Sequence, residues 1–200
     1  MQSKRFLTTL IFLLLVQLSF AQKEINLEEL LNTDYLVEDK AILYGTFVQR
    51  LGFSSGGFPQ DIQLQNTDTK EIVSFRVKPT FKSAKRNIFI IYIEPGNYVI
   101  LNYWWTKSTW YGGKTYTEPI YRDFDSFNYI TPKEGENQLI QANLEQFKLT
   151  IQANTLYYVG TWHFDQSIVS FTNDKEELDL KIARNHPNLD FKKAKVHLPE

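Results

Sequence analysis

The stretch Ile88-Phe89-Ile90-Ile91-Tyr92-Ile93, then Glu94-Pro95-Gly96-Asn97, then Tyr98-Val99-Ile100-Leu101-Asn102-Tyr103-Trp104-Trp105-Thr106 decides the fold class. Its first six residues are apolar throughout, the pattern of a strand covered on both faces. Pro95 presets φ and Gly96 supplies the next position, so the four residues after the strand read as a tight turn. The chain then alternates. Tyr98, Ile100, Asn102 and Trp104 take one face, and Val99, Leu101, Tyr103 and Trp105 take the other. Strand, turn and strand follow each other without room for a helix.

Working outward, the same grammar recurs. Ala41 to Gln49 is apolar on both faces. Ile62 and Leu64 alternate with Gln63 and Gln65, and Val73, Phe75 and Val77 alternate with Ser74 and Arg76. Period two over such short runs marks half-buried strands. The turn cluster Asn66-Thr67-Asp68-Thr69 makes 61–77 a hairpin. Gly52 to Pro59 is a flexible loop by composition. Phe147, Leu149 and Ile151 point inward on a further strand, and Leu156 to Trp162 and Ser167 to Phe171 complete the set. Trp110-Tyr111-Gly112-Gly113 reads as a hairpin tip, and 131–144 as a loop. One helix is expected late in the chain. Asn173 would cap it with Glu176 reaching back, Leu178, Ile182 and Ala183 would face inward, and Pro187 would stop it. The expected architecture is a mainly β chain: an antiparallel β-sandwich with one C-terminal helix.

The N-terminus has a different character. Lys4 and Arg5 precede an apolar run, Phe6 to Phe20, that ends in Leu18-Ser19-Phe20-Ala21, with small residues at the −3 and −1 positions. This is the pattern of a Sec-type signal peptide cut after Ala21. The run contains Thr8, Thr9 and Gln17 and falls short of the roughly 20 residues of a membrane span. The expected organisation is a signal peptide (1–21), a polar linker or N-terminal arm (22–40) and a single β-sandwich domain (41–200). Leu27, Leu30 and Leu31 would form at most one helical turn in the arm.

Composition narrows the function. The chain has 200 residues, of which 42% are hydrophobic, 15% aromatic and 22% charged, with a formal net charge of -1. That length is enough to bury a real core. The balance of charge excludes a broad nucleic-acid footprint. The absence of cysteine excludes disulfides, thiolate catalysis, lipidated cysteine and cysteine-based metal sites. An exported chain without disulfides must stand on its core alone, which points to a bacterial periplasmic or extracellular setting. After cleavage no membrane span is expected. Lys192, Lys193 and Lys195 are too few to imply a nucleic-acid or membrane partner.

The turn and strand at Glu94-Pro95-Gly96-Asn97-Tyr98-Val99-Ile100, with Phe147 to Ile151 and Leu156-Tyr157-Tyr158-Val159-Gly160 further on, resemble exported bacterial β-sandwich proteins of unknown function. They are also similar to the prealbumin-like and carboxypeptidase-regulatory-like sandwiches. The resemblance covers about 88–172. It implies a sandwich fold and, for most such proteins, no enzymatic activity, and no functional residue of those families maps onto this chain.

The most unusual feature is aromatic. Tyr103, Trp104, Trp105, Trp110, Tyr111, Tyr116, Tyr121 and Phe124 crowd one segment, which holds three of the four tryptophans. Exposed rings on a hairpin bury much area at low entropy cost, which suits a protein partner. Flat indole and phenol faces also stack on sugar rings. Cross-strand packing in the core is the ordinary alternative for such residues. The candidate ligand-binding residues are Trp104, Trp110, Tyr111 and Tyr116.

Catalytic chemistry is less well represented. His163-Phe164-Asp165 would put an imidazole and a carboxylate on one strand face, but two ligands do not make a zinc site. His186, before Pro187, would suit a helix C-terminus as a protonated ring, and His197 lies in the tail. There is no Gly-x-Ser-x-Gly elbow, no phosphate loop and no dinucleotide fingerprint. Asp123 and Asp125 are the one carboxylate pair worth inspecting for glycoside chemistry. The expected function is that of a non-catalytic interaction module of the bacterial cell envelope, without metal or cofactor. Its partner would be a protein or a polysaccharide met by the aromatic hairpin 103–124. A carbohydrate-binding module stacking sugars on Trp110 and Tyr111 is the alternative, and a hydrolase the third.

Overall fold

The computed structural model describes residues 24–49, 59–79, 84–109, 112–119, 148–165 and 169–199, with the backbone alone for 102–119. The strands are β1 (Glu24–Asn26), β2 (Ala41–Val48), β3 (Gln60–Asn66), β4 (Ile72–Lys78), β5 (Arg86–Ile93), β6 (Gly96–Thr109), β7 (Gly112–Pro119), β8 (Lys148–Ile151), β9 (Thr155–His163), β10 (Ser170–Thr172) and β11 (Lys195–Val196). One helix, α1 (Lys175–Ile182), follows β10. The expected signal peptide lies outside the described residues.

The strands form two sheets. The first runs β1-β4-β3-β6-β7, with β8 on the opening residues of β6. The second runs β10-β9-β2-β5, with β11 also on β9. Both sheets are mixed rather than antiparallel as expected. β1 lies parallel to β4, β2 to β9, and β11 to β9. The reason is connectivity. The chain between β2 and β9 runs through β3 to β8, so no tight turn dictates their direction, as it does for β3 and β4.

Two apolar clusters hold these elements. The first gathers Ile62, Leu64, Phe75 and Ile100 from the first sheet with Leu43, Phe89, Val159 and Trp162 from the second. The other lies on the opposite face of the second sheet, where Ile42, Tyr44, Ile90 and Tyr158 receive Leu178 and Ile182 of α1 and Phe191 beyond it. The alternation of β2 makes this division: Leu43 and Phe47 serve the first cluster, Ile42 and Tyr44 the second. Each such buried side chain contributes about 1.5–3 kcal/mol, and these contributions carry a fold that has no disulfide.

A bulge decides where Trp162 goes. Tyr44 pairs with Tyr158, but Thr46 pairs with Thr161, so β9 holds one extra residue at Gly160. The extra residue reverses the parity of the strand. Tyr157 and Val159 face the first cluster, and beyond the bulge Trp162 and Phe164 do so instead of Thr161 and His163. Trp162 is 1% exposed. Its Nε1–H donates to the Val159 carbonyl at 2.8 Å, across the bulge.

The hairpin expected over 61–77 is present as β3 and β4. Asn66 Oδ1 accepts from the backbone N–H groups of Asp68 and Thr69 at 2.9 and 3.0 Å. β5 is covered on both faces as its composition requires, with Phe89, Ile91 and Ile93 in one cluster and Ile90 in the other. Its open edge is met by the N-terminal arm: Leu30 N–H donates to the Ile90 carbonyl and Tyr92 N–H to that of Glu28. The expected helical turn at Leu27 to Leu31 does not form. Leu27 packs on the first cluster and Leu30 enters the second, a division that suits an extended segment.

The helix differs from expectation at both ends. The N-cap is Asp174, without a side-chain cap bond, while Asn173 Oδ1 accepts from Lys175 N–H at 3.2 Å. Ala183 is exposed, because eight helical residues leave one inward stripe, filled by Leu178 and Ile182. His186 is 8% exposed, and burial pushes its pKa below the ordinary value. It is therefore held neutral rather than protonated at the helix end.

Candidate functional site

β6 and β7 form a long antiparallel ribbon, from Asn102 opposite Pro119 to Thr109 opposite Gly112. β3 accompanies β6 only as far as Gln60 opposite Trp105. The ribbon from Thr106 to Thr109 and Gly112 to Thr115 therefore extends past its neighbour. A bulge interrupts the uninterrupted alternation expected for β6. Leu64 pairs with Ile100 but Gln63 with Asn102, so Leu101 is an extra residue and the register parity relative to β3 reverses beyond it. Trp104 stands opposite Asp61 and Thr117, and Trp105 opposite Gln60 and Tyr116. Trp104 and Tyr116 are thus not cross-strand partners. Trp110 and Tyr111 lie outside the described residues, as do Tyr121, Asp123, Phe124 and Asp125.

A second constellation lies where the second sheet meets α1. Val48 pairs with both Arg86 and His163, which sets these residues on neighbouring strands. Phe164 turns inward against Phe47, with ring centroids 5.0 Å apart. His163 and Asp165 then approach each other, with Nδ1 3.7 Å from Oδ1. Asp165 Oδ2 meets Lys85 Nζ at 2.8 Å. The Lys85 ammonium holds this carboxyl below its ordinary pKa, against a smaller opposing effect of burial. His163 Nε2 lies 2.9 Å from Thr172 Oγ1, and that hydroxyl donates to Asp174 Oδ2 at 3.2 Å. A carboxylate accepts only, so the hydroxyl proton is committed to Asp174 and the imidazole must donate through Nε2–H. Acid, imidazole and hydroxyl are in line, yet the hydroxyl proton points away from the base, the reverse of a primed nucleophile. The adjoining recess, bordered by Thr46, Thr161 and Arg86, is about 30 Å³, room for about one water.

A third feature was not legible in the sequence. A groove of about 320 Å³ opens between the N-terminal arm, the β3–β4 turn and the β5–β6 turn. Leu27, Val73 and Ile93 give it apolar walls, and Glu28, Glu71 and Glu94 bring carboxylates. The turns are locked together: Thr67 N–H donates to the Asn97 carbonyl at 2.7 Å, and Asn97 Nδ2 to Asp68 Oδ2 at 3.0 Å. Tyr98, 2% exposed, donates its hydroxyl to the Glu94 carbonyl at 3.0 Å. Burial first, then the Glu94 and Glu71 charges, hold this phenol above its ordinary pKa. Lys40 Nζ stands 3.7 Å from Glu94 Oε1 and 5.9 Å from the centroid of the Tyr92 ring.

No group of three or more His, Asp or Glu side chains that could hold a metal occurs among the described residues. Among them, too, no helix is long and apolar enough to cross a membrane. No protein-family model matches the chain, and no curated protein matches it. Among solved structures the chain is similar to a leucine-rich repeat protein from Bacteroides thetaiotaomicron, with 11% identity and a TM-score of 0.32. That similarity covers 76% of this chain and 16% of the other.

Proposed function

We propose that the chain is an exported, non-catalytic binding module of the bacterial cell envelope, periplasmic or extracellular, whose contact surface is the β6–β7 ribbon. The two sheets would stack face to face as a β-sandwich. That reading is supported by the single apolar cluster to which both sheets contribute. The function rests on one observation, the extension of the ribbon beyond Gln60 and Trp105, where β3 ends. Among the described residues no strand pairs with the β3-facing edge of Thr106–Thr109, and an edge of that kind is a template for pairing with another chain. Trp110 and Tyr111 fall between the paired ends Thr109 and Gly112, where aromatic rings act as anchors for a protein or a polysaccharide.

Tryptophan emission and acrylamide quenching of the purified protein and of Trp110→Phe test this reading. The expected result is a red-shifted, quenchable component that the substitution removes. Emission that is blue, protected and unchanged in the variant would overturn it. A titration with soluble polysaccharide then separates the partners, since sugar stacking moves the Trp110 signal and a protein-binding surface leaves it still.

A further inference from the structure

We propose that the outer edge of β7 pairs with the same edge of a second copy of the chain, antiparallel and centred on Tyr116, so that the first sheet continues through a symmetric dimer. The pairing rests on the ribbon being a contact surface, as read above, and gives that surface a partner. It uses neither the tip between Thr109 and Gly112 nor the β3-facing edge of β6.

β7 ends the strand order of its sheet, and β6 occupies one of its two edges from Gly112 to Pro119. Among the described residues no strand pairs with the other edge. Unpaired backbone groups along an edge are a template for a further strand unless proline, a bulge or charge blocks them. The β6–β7 register runs without a bulge, and the one proline of β7 is its last residue, Pro119.

Charge on this edge favours self-pairing instead of blocking it. The segment Lys114-Thr115-Tyr116-Thr117-Glu118 has the same residue types read from either end, except that its two ends carry opposite charge. Centred on Tyr116, an antiparallel pair of such segments sets Lys114 opposite Glu118 of the second copy, twice over by the two-fold symmetry. Thr115 then stands opposite Thr117, and Tyr116 opposite itself. Opposite charges, threonine pairs and aromatic pairs are the cross-strand combinations that stabilise a sheet. The backbone agrees. Alternate residues of an antiparallel strand turn both backbone groups to the same edge. Each facing pair here joins positions of equal parity, so outward groups meet outward groups. A slip by one residue loses this match and the charge pairing together.

The ribbon also leaves positive charge to be balanced. Lys107 is the residue of β6 opposite Lys114, and like charges at facing positions oppose pairing. A carboxylate brought to the outer edge beside Lys114 offsets them, and Glu118 of the second copy supplies it.

Five facing positions make a small interface and a weak dimer, so the test is sedimentation velocity of the purified protein from about 10 µM to about 1 mM. The expected result is a sedimentation coefficient that rises from monomer towards dimer over this range. Lys114→Glu and Glu118→Lys each turn two facing pairs from attraction to repulsion, and each should raise the dimer dissociation constant about tenfold. An equimolar mixture of the two variants restores opposite charges at every facing position and should associate as the parent does, which also shows that both variants fold. Trp110→Phe should leave association unchanged. Four results would overturn the proposal. They are a monomer throughout, a dimer indifferent to both charge reversals, a mixture no tighter than its components, and loss of the dimer in Trp110→Phe. The second would assign the interface to another surface and the fourth to the tip. The quenching of Trp110 reads the tip and the charge mixture reads the edge, so a failure of either is distinguishable from a failure of the other.

Discussion

The Tyr44 hydroxyl donates a 2.7 Å hydrogen bond to Asp179 Oδ1, joining the middle of β2 to α1 across 135 positions of sequence. The same carboxylate takes Lys175 Nζ on its other oxygen, and Lys175 also donates to the Phe191 carbonyl at 2.7 Å. Helix, sheet and C-terminal segment thus share one polar knot above the apolar contacts of Leu178 and Ile182. Tyr44→Phe removes one bond and leaves Asp179 with its lysine. We expect a loss of about 1 kcal/mol. Asp179→Ala strands a buried phenol and leaves the Lys175 ammonium with the Phe191 carbonyl alone, and should cost more, about 1–3 kcal/mol. Urea denaturation followed by far-UV circular dichroism ranks the two, and equal losses would show that the knot does not act as a unit.

The bulge of β9 makes a second prediction. Gly160 has φ +98°, and an added Cβ would lie 2.8 Å from Leu198 Cδ2. An added Cβ at Gly45 would lie 2.6 Å from the Gly160 carbonyl oxygen. Left-handed backbone and a clash with main chain both oppose a side chain. Gly160→Ala and Gly45→Ala should each lower stability by about 1–3 kcal/mol. A melting temperature within one degree of the parent for either would show that the β2–β9 pairing relaxes without cost.

Trp162 is where that bulge takes effect. Trp162→Phe loses packing against Phe75, Phe89 and Phe171 and leaves the Val159 carbonyl without its indole donor. The expected cost is about 1–3 kcal/mol. The parent protein should carry a blue, acrylamide-protected emission component that disappears in the variant. If quenching of that component equals that of free indole, the interior placement is wrong.

His186 sets the response to mild acid. Its pKa is lowered by burial, against weaker opposing effects of the Leu31 backbone and the Asp34 charge, and its Nδ1 is buried without a hydrogen-bond partner. The unfolded chain therefore takes up a proton more readily than the folded one. Stability should be full above about pH 6.5 and fall as pH drops from there through the lowered folded value. Asp165 works in a different window. Its carboxyl is held below 3.8 by Lys85, so its contribution is present above that value and lost only below it. Denaturation free energies from pH 8 to 5 should fall for the parent and stay flatter for His186→Phe. Parallel curves would remove His186 from the account.

The strands were legible because their cause is local. Ile88 to Ile93 is apolar at every position and became a strand covered on both faces, and Asn66 to Thr69 became the expected turn because an Asn side chain caps its own backbone. The cap of α1 fell one residue later than the Asn173–Glu176 pair suggests, and the polar side chains of its first turns reach tertiary partners, Lys175 the Phe191 carbonyl and Asp179 the Tyr44 hydroxyl. The groove was not legible at all. Glu28, Lys40, Glu71 and Glu94 come from the arm, from its junction with β2 and from two turns, and no spacing in the chain links them.

By itself the sequence determined which segments extend, where they turn and that one short helix follows, because backbone preference and the period of burial act over a few residues. Tertiary structure alone decided the parallel pairing of β2 with β9, the bulges at Gly160 and Leu101, and the face presented by Trp162. Each depends on which distant strand becomes a neighbour, and one extra residue against that neighbour reverses every side chain beyond it.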